Sequence, residues 1–157
     1  GFSFLSAINL RDRGVPANDL AVLRFSEFGS DVYGHALIVN PKFAAEHPDA
    51  VKAFVRASIA GLRLTIKDPA RAIDDVLAQM SNGSHDLELE RLRAVLKDNI
   101  VTGDVRKNGL GGIDDARFAA GLSQIAEDRE FRKRPLPADI FDDTFLPPPD
   151  ARGIDLP

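Results

Sequence analysis

Apolar residues fall into two kinds of run along this chain. The early runs are short and continuous, Leu20 to Phe25 (LAVLRF) and Ala36 to Val39 (ALIV), each bounded by polar or turn residues. Runs of this length and composition predict strands. Gly1 to Phe4 reads as the end of a further strand. Leu5 to Arg13 then follows helical spacing, with Leu5, Ile8 and Leu10 apolar, Gly14 at the position just past a helix end and Pro16 beyond it. Between the two apolar runs lies SEFGSDVYG, a polar and aromatic loop with two glycines.

From residue 40 the spacing changes to three and four. Asn40-Pro41, Pro48-Asp49 and Asp68-Pro69 are helix starts, because proline has no N–H to lose in the first turn and Asn or Asp can cap it. The second of these helices carries Val51, Phe54, Val55, Ser58, Ile59, Leu62 and Ile66 on one face. Ala72, Ile73, Val76, Leu77 and Met80 line the third. Leu89, Leu92, Leu96 and Ile100 make a fourth stripe, and Asp114 to Phe131 a fifth helix with Phe118, Leu122 and Ile125 on one side. Phe54, Ile59, Leu62, Leu92, Leu96, Phe118 and Leu122 are the expected core of one helical layer set. From Pro135 the chain is rich in proline and reads as irregular.

Two or three strands followed by helices predict an α/β fold that is mostly helical. Two strands are marginal as a sheet, so further strands are expected upstream of Gly1 and the chain is expected to be a fragment. A self-contained helical domain is the competing reading.

Composition narrows the function. The 157 residues are 44% hydrophobic and 28% charged, with net charge −4 and both signs mixed, unlike the clustered basic face of a nucleic-acid binder. There is no cysteine, which excludes disulfides and thiol chemistry. No run is long enough to span a membrane. GDVRKNGLGG has glycines but follows a helix and lacks G-K-[ST], so it reads as a flexible connection rather than a phosphate loop. His35, His47 and His85 have no metal-pair spacing. Asp74-Asp75, Asp114-Asp115 and Asp142-Asp143 are adjacent pairs, which on a helix point apart and suit capping or solvation. No serine sits in a nucleophile motif. Neither catalysis, a cofactor nor a metal is expected.

The candidate ligand-facing residues are Ser3, Phe4, Glu27, Phe28, Tyr33 and His35. Ser3 and Phe4 open a helix, where backbone N–H groups can meet an anion or a carbonyl. Phe28 and Tyr33 offer flat apolar faces, and Tyr33 adds a hydroxyl. Glu27, with Asp31, favours a cationic or amine-bearing solute over nitrate or a sulfonate.

In their order along the chain, these segments resemble the solute-binding proteins of ABC importers, in the group that takes nitrate, sulfonates, taurine and thiamine precursors. The stretch YGHALIVNPKFAAEHPDAVKAFVRASIAG carries most of the likeness. GFSFLSAINLRDRGVPANDLAVLRFSEFGSDVYGHALIVN is similar to the segment that closes one lobe and crosses back to the other, and PLPADIFDDTFLP to the family's tail. The resemblance implies a periplasmic receptor of two α/β lobes joined by a hinge, delivering a small polar or nitrogenous solute to an ABC permease. Residues 1–34 would end the second lobe and form the crossing. Residues 35–134 would be helices of the first lobe, and 135–157 the tail. A signal peptide and the N-terminal part of the protein are expected upstream. The thiamine-precursor synthases share that fold, but their reactive His, PLP-binding Lys and Cys-rich motif have no counterparts here. An enzyme of that kind and a stand-alone helical interaction domain remain the alternatives.

Overall fold

Three helices begin at a proline, two of them behind a capping side chain. In the computed structural model, which describes residues 1–129 and 131–154, α2 spans Pro41–Glu46, α3 Pro48–Lys67 and α4 Pro69–Leu77, while α1 precedes them at Ser3–Asp12. The Asn40 side chain accepts the Lys42 N–H at 2.9 Å, and the Asp68 side chain accepts the Arg71 N–H at 3.1 Å. Each satisfies a donor that a helix start leaves unpaired. α1 ends as expected at Gly14, whose φ of 90° lets the Val15 N–H reach back to the Leu10 carbonyl at 3.0 Å.

The later helices are α5 (His85–Val95), α6 (Gly103–Asn108), α7 (Asp115–Asp128) and α8 (Pro137–Ile140). α5 runs on into a wider π-type turn, Leu96–Ile100, closed by the Val101 N–H on the Leu96 carbonyl at 2.7 Å. α6 occupies the first half of the Gly-rich stretch that reads from sequence as a loop throughout. Two short helical turns interrupt the Pro-rich tail, α8 and Pro149–Arg152.

Among the described residues there is no strand. The α/β expectation is therefore corrected to an all-helical architecture. Gly1 to Phe4 is not a strand end, since Ser3 and Phe4 already belong to α1. LAVLRF does run partly extended, with Leu20 at φ −105°, ψ 117° and Arg24 at φ −87°, ψ 128°, and ALIV has no regular structure. No ladder of hydrogen bonds joins them to a neighbour among the described residues. Branched residues favour strands because they pack against a neighbouring strand. Here Leu23 is 75% and Ile38 95% exposed.

The chain divides into two compact units that interleave in sequence. The first comprises Gly1–Leu23 and Ala60–Thr102. In it α5 packs on α4 and α1, burying Ile8, Ile73, Leu89 and Leu96. Polar side chains tie the same helices. Arg91 donates to Glu88 and to Asn9, Arg11 donates to Glu90, and the Ser3 hydroxyl donates to Asp98 at 2.8 Å. The second unit comprises Arg24–Ile59 and the chain from Gly103. It buries Ala44, Val51, Ile59 and Leu110, and sets Phe118 against Phe141 in a tilted pair with ring centroids 6.0 Å apart.

This division corrects the single layer set expected around seven residues. Leu62, Leu92 and Leu96 lie in the first unit, and Phe54, Ile59, Phe118 and Leu122 in the second. Of the seven, Ile59 and Leu96 are buried, whereas Phe54 is 62% exposed. Truncation should separate the two cases. Ile73→Ala is expected to lower unfolding stability by about 2–5 kcal/mol, the range for removing a buried branched side chain. Phe54→Ala is expected to change it by less than about 1 kcal/mol. Urea titration followed by helical circular dichroism measures both.

Candidate functional site

The polar and aromatic loop singled out from sequence lies along one face of α7, within the second unit. Residues 114, 117, 118, 121 and 124 recur at helical spacing, and each meets the segment from Gly29 to Tyr33. Gln124 donates to the Gly29 carbonyl at 3.3 Å. Val32 sits over Gly121, where a Cβ would lie 3.2 Å from its Cγ1. Tyr33 lies against Phe118 with ring centroids 6.3 Å apart.

Arg117 is the centre of the contact. Its Nη1 donates to Asp104 at 2.6 Å and its Nη2 to the Asp31 carboxylate at 2.7 Å. Its Cζ lies 4.3 Å from the Tyr33 ring centroid, a cation–π distance. Planar, fixed donors let one guanidinium serve two carboxylates and a ring together. The Tyr33 hydroxyl is held from both sides, donating to Asp104 and accepting the Asp114 N–H at 2.8 Å. Asp114 caps α7 by accepting the Arg117 N–H at 3.0 Å, and Lys107 approaches its carboxylate at 3.6 Å. Three carboxylates thus meet two cations, and the cluster keeps an excess of negative charge.

These contacts set the protonation states. Hydrogen bonds from Tyr33 and then Arg117 hold the Asp104 carboxyl below its ordinary 3.8. The Arg117 N–H holds the Asp114 carboxyl down likewise. Burial, with the hydrogen bond to Asp104 adding to it, pushes the Tyr33 phenol above its ordinary 10.0. Burial works against the Arg117 charge, but the Asp104 hydrogen bond and the two carboxylates outweigh it and raise its pKa. Near neutrality the cluster is a neutral phenol between ionised partners, an arrangement suited to positioning rather than to proton transfer.

The other sequence candidates fall in different places. Ser3 and Phe4 belong to the first unit, where the Ser3 hydroxyl is engaged by Asp98. Glu27 and Phe28 sit in the exposed turn Phe25–Phe28 of the second unit, with Phe28 70% exposed. His35 is exposed in the extended segment beyond Tyr33. His47 ends α2 with its ring 4.9 Å from Phe43, and His85 opens α5 with its Nε2 3.6 Å from Asp74. A shallow hollow in the first unit, lined by Ser81, Gly83, Ser84, Leu87, Glu88 and Arg91, offers little to a ligand, since its one cation is already held by Glu88 and Asn9. Among the described residues no group of side chains could hold a metal ion, and no helix is long and apolar enough to cross a membrane.

Sequence reasoning missed Asp104 and Arg117. Asp114 was legible as a helix cap, and that is one of its two roles here. Arg117 follows it by three positions and so faces the same side of the helix start. Nothing local shows that residues 86 positions upstream are its partners.

A family model described as NMT1/THI5 like matches residues 2–72. The likeness connects this stretch, just under half of the chain, with solute binding or thiamine-precursor-related function. No curated protein and no solved structure matches the chain. The NMT1/THI5-like stretch contains Ser3, Phe4, Glu27, Phe28, Asp31, Tyr33 and His35. It stops short of Asp104, Asp114 and Arg117, so the Tyr33 cluster joins the matched stretch to the chain beyond it.

The cluster should respond to pH at both ends. Asp104 has a lowered pKa, so its contribution is complete above about pH 3.8 and lost as the pH falls below that value. Tyr33 has a raised pKa, so its contribution is complete below pH 10.0 and lost as the pH rises beyond it. Asp104→Asn is expected to destabilise the protein by about 1 kcal/mol at neutral pH, allowing for the partial exposure of the pair. Denaturation midpoints of the variant and wild type should converge as the pH is lowered through the depressed Asp104 pKa, below 3.8.

Proposed function

We propose that this chain is part of a solute-binding receptor that captures a small nitrogenous metabolite in the periplasm and passes it to an ABC permease. The observation that carries the reading is the NMT1/THI5-like match over residues 2–72, which spans the whole segment from Glu27 to His35. The chemistry of that segment supports an amine-bearing ligand. Asp31 is 58% exposed, its carboxylate meets Arg117 through Oδ1, and Glu27 stands exposed nearby in the chain. The exposed ring of Phe28 can stack on a flat heterocycle. Carboxylates beside an aromatic face favour an aminopyrimidine and repel nitrate or a sulfonate. No step of catalysis belongs to this role, and the Tyr33 cluster holds the segment in place instead of activating a nucleophile.

A helical interaction domain is the second reading, favoured by the absence of any strand among the described residues.

Tyr33 is the only tyrosine of the chain, which has no tryptophan, so its fluorescence reports on this segment alone. Titration of the purified protein with an aminopyrimidine is expected to give a saturable change, with none for nitrate or taurine. Asp31→Asn is expected to weaken the aminopyrimidine about tenfold, or about 1.4 kcal/mol. Saturable binding of nitrate or taurine with no response to the aminopyrimidine would reject the ligand class. Absence of binding to all three by a cooperatively unfolding protein would favour the interaction domain.

A further inference from the structure

The Gly-rich stretch that sequence reads as a flexible connection is held down by the C-terminal segment of the second unit. Leu110, near its end, is only 3% exposed. Its N–H donates to the Arg152 carbonyl at 2.7 Å. The Arg152 guanidinium folds back over the same loop, donating from Nη1 to the Asn108 carbonyl and from Nε to the Pro147 carbonyl at 3.1 Å. A Cβ on Gly112 would fall 2.3 Å from the Asn108 carbonyl oxygen and 2.5 Å from Arg152 Nη1, so the close fit depends on glycine there.

This loop links the two groups that hold the Tyr33 hydroxyl. Asp104 lies one helical turn before Asn108 on α6, and Asp114 follows the loop as the cap of α7. Gly109 and Gly111 both have positive φ, 75° and 77°. A loop with two such glycines has much freedom to lose, and an external tie is what keeps its ends in register. Asn108 Nδ2 is buried without a hydrogen-bond partner among the described residues, so the closed arrangement is not fully satisfied.

We propose that the turn Pro149–Arg152 is a strap, and that Arg152 is a positioning residue which keeps Asp104 and Asp114 spaced to grip Tyr33. With the strap in place, the segment bearing Asp31 and Tyr33 is fixed on α7. With it displaced, the grip loosens and that segment is freed. The consequence for ligand capture rests on the solute-binding reading above, whereas the positioning role does not.

The test therefore uses no ligand. Ionisation of Tyr33, the sole tyrosine, is followed by near-ultraviolet absorbance of the whole protein as the pH is raised. The groups around the phenol are Asp104, Asp114, Arg117, Asp31 and Lys107, and none of them is altered in the variant. Arg152→Ala is expected to bring the ionisation midpoint back towards 10.0 by about half a pH unit, a threefold change in the ionisation constant. Arg152→Lys, which keeps the charge and one donor contact, is expected to lie between the variant and wild type. A wild-type midpoint in a variant that retains its helical circular dichroism would overturn the proposal. So would loss of helical signal in both variants, because the strap would then hold the fold as a whole rather than the grip on Tyr33.

Discussion

The second unit depends on one planar cation that has three things to bind. Arg117 engages Asp104 on α6, Asp31 on the extended segment, and the face of Tyr33. A lysine at this position would offer one point charge in place of a fork and could not span the same partners. A helix face bearing an arginine, a phenylalanine and a glycine in succession thereby becomes a receptor for a stretch of irregular chain. The extended segment brings little apolar burial of its own. Its residues are mostly exposed, and without the polar grip there would be little to offset the entropy of ordering it.

Burial within each unit is modest, which raises the importance of such polar ties. Among the described residues no polar or charged residue is buried, and the buried apolar residues are eight. In the first unit Arg91 plays a part like that of Arg117. It draws Asn9 of α1 and Glu88 of α5 together beside Ile8 and Leu89. Both arginines retain partial exposure, so neither bears the full desolvation penalty of a buried ion pair.

What was legible in the sequence was local. The helix starts at Pro41, Pro48 and Pro69, the stop at Gly14 and the cap at Asp114 are each decided within four or five residues, and all five stand where the pattern puts them. The strand expectation failed for the opposite reason. LAVLRF and ALIV have the composition of strands, but a strand exists only when another lies beside it, and that depends on chain far away in sequence or outside it. The facing of α3 failed partway for the same cause. Its apolar stripe is real, yet which of its positions are covered depends on contacts far away in sequence, and Phe54 is left exposed while Ile59 of the same unit is buried. Tyr33 was singled out for its hydroxyl and ring. The two acids and the arginine that engage it lie 71 to 84 residues downstream, beyond the reach of any spacing rule.

On the solute-binding reading proposed above, that separation bears on how the segment would be tuned. The NMT1/THI5-like stretch supplies Glu27, Phe28, Asp31 and Tyr33, while Asp104, Asp114 and Arg117 come from the chain that follows it. The two sets have different chemical tasks. The first presents groups with spare capacity, an exposed ring and carboxylates not fully hydrogen-bonded. The second has its capacity spent inward, on the phenol and on Asp31. On the same reading, substitutions in the first set would change which solute is attracted. Substitutions in the second would change how firmly the presenting groups are held, and so alter affinity for every solute alike. Asp31 belongs to both sets, because the oxygen it gives to Arg117 fixes the position of the other. An amine that approached Asp31 would meet a carboxylate already oriented by a guanidinium, with part of its negative charge offset. Preorganisation at this residue therefore comes with a weaker field, and the uncompensated charge that attracts a cation has to come from Glu27 and the net excess of acid in the cluster.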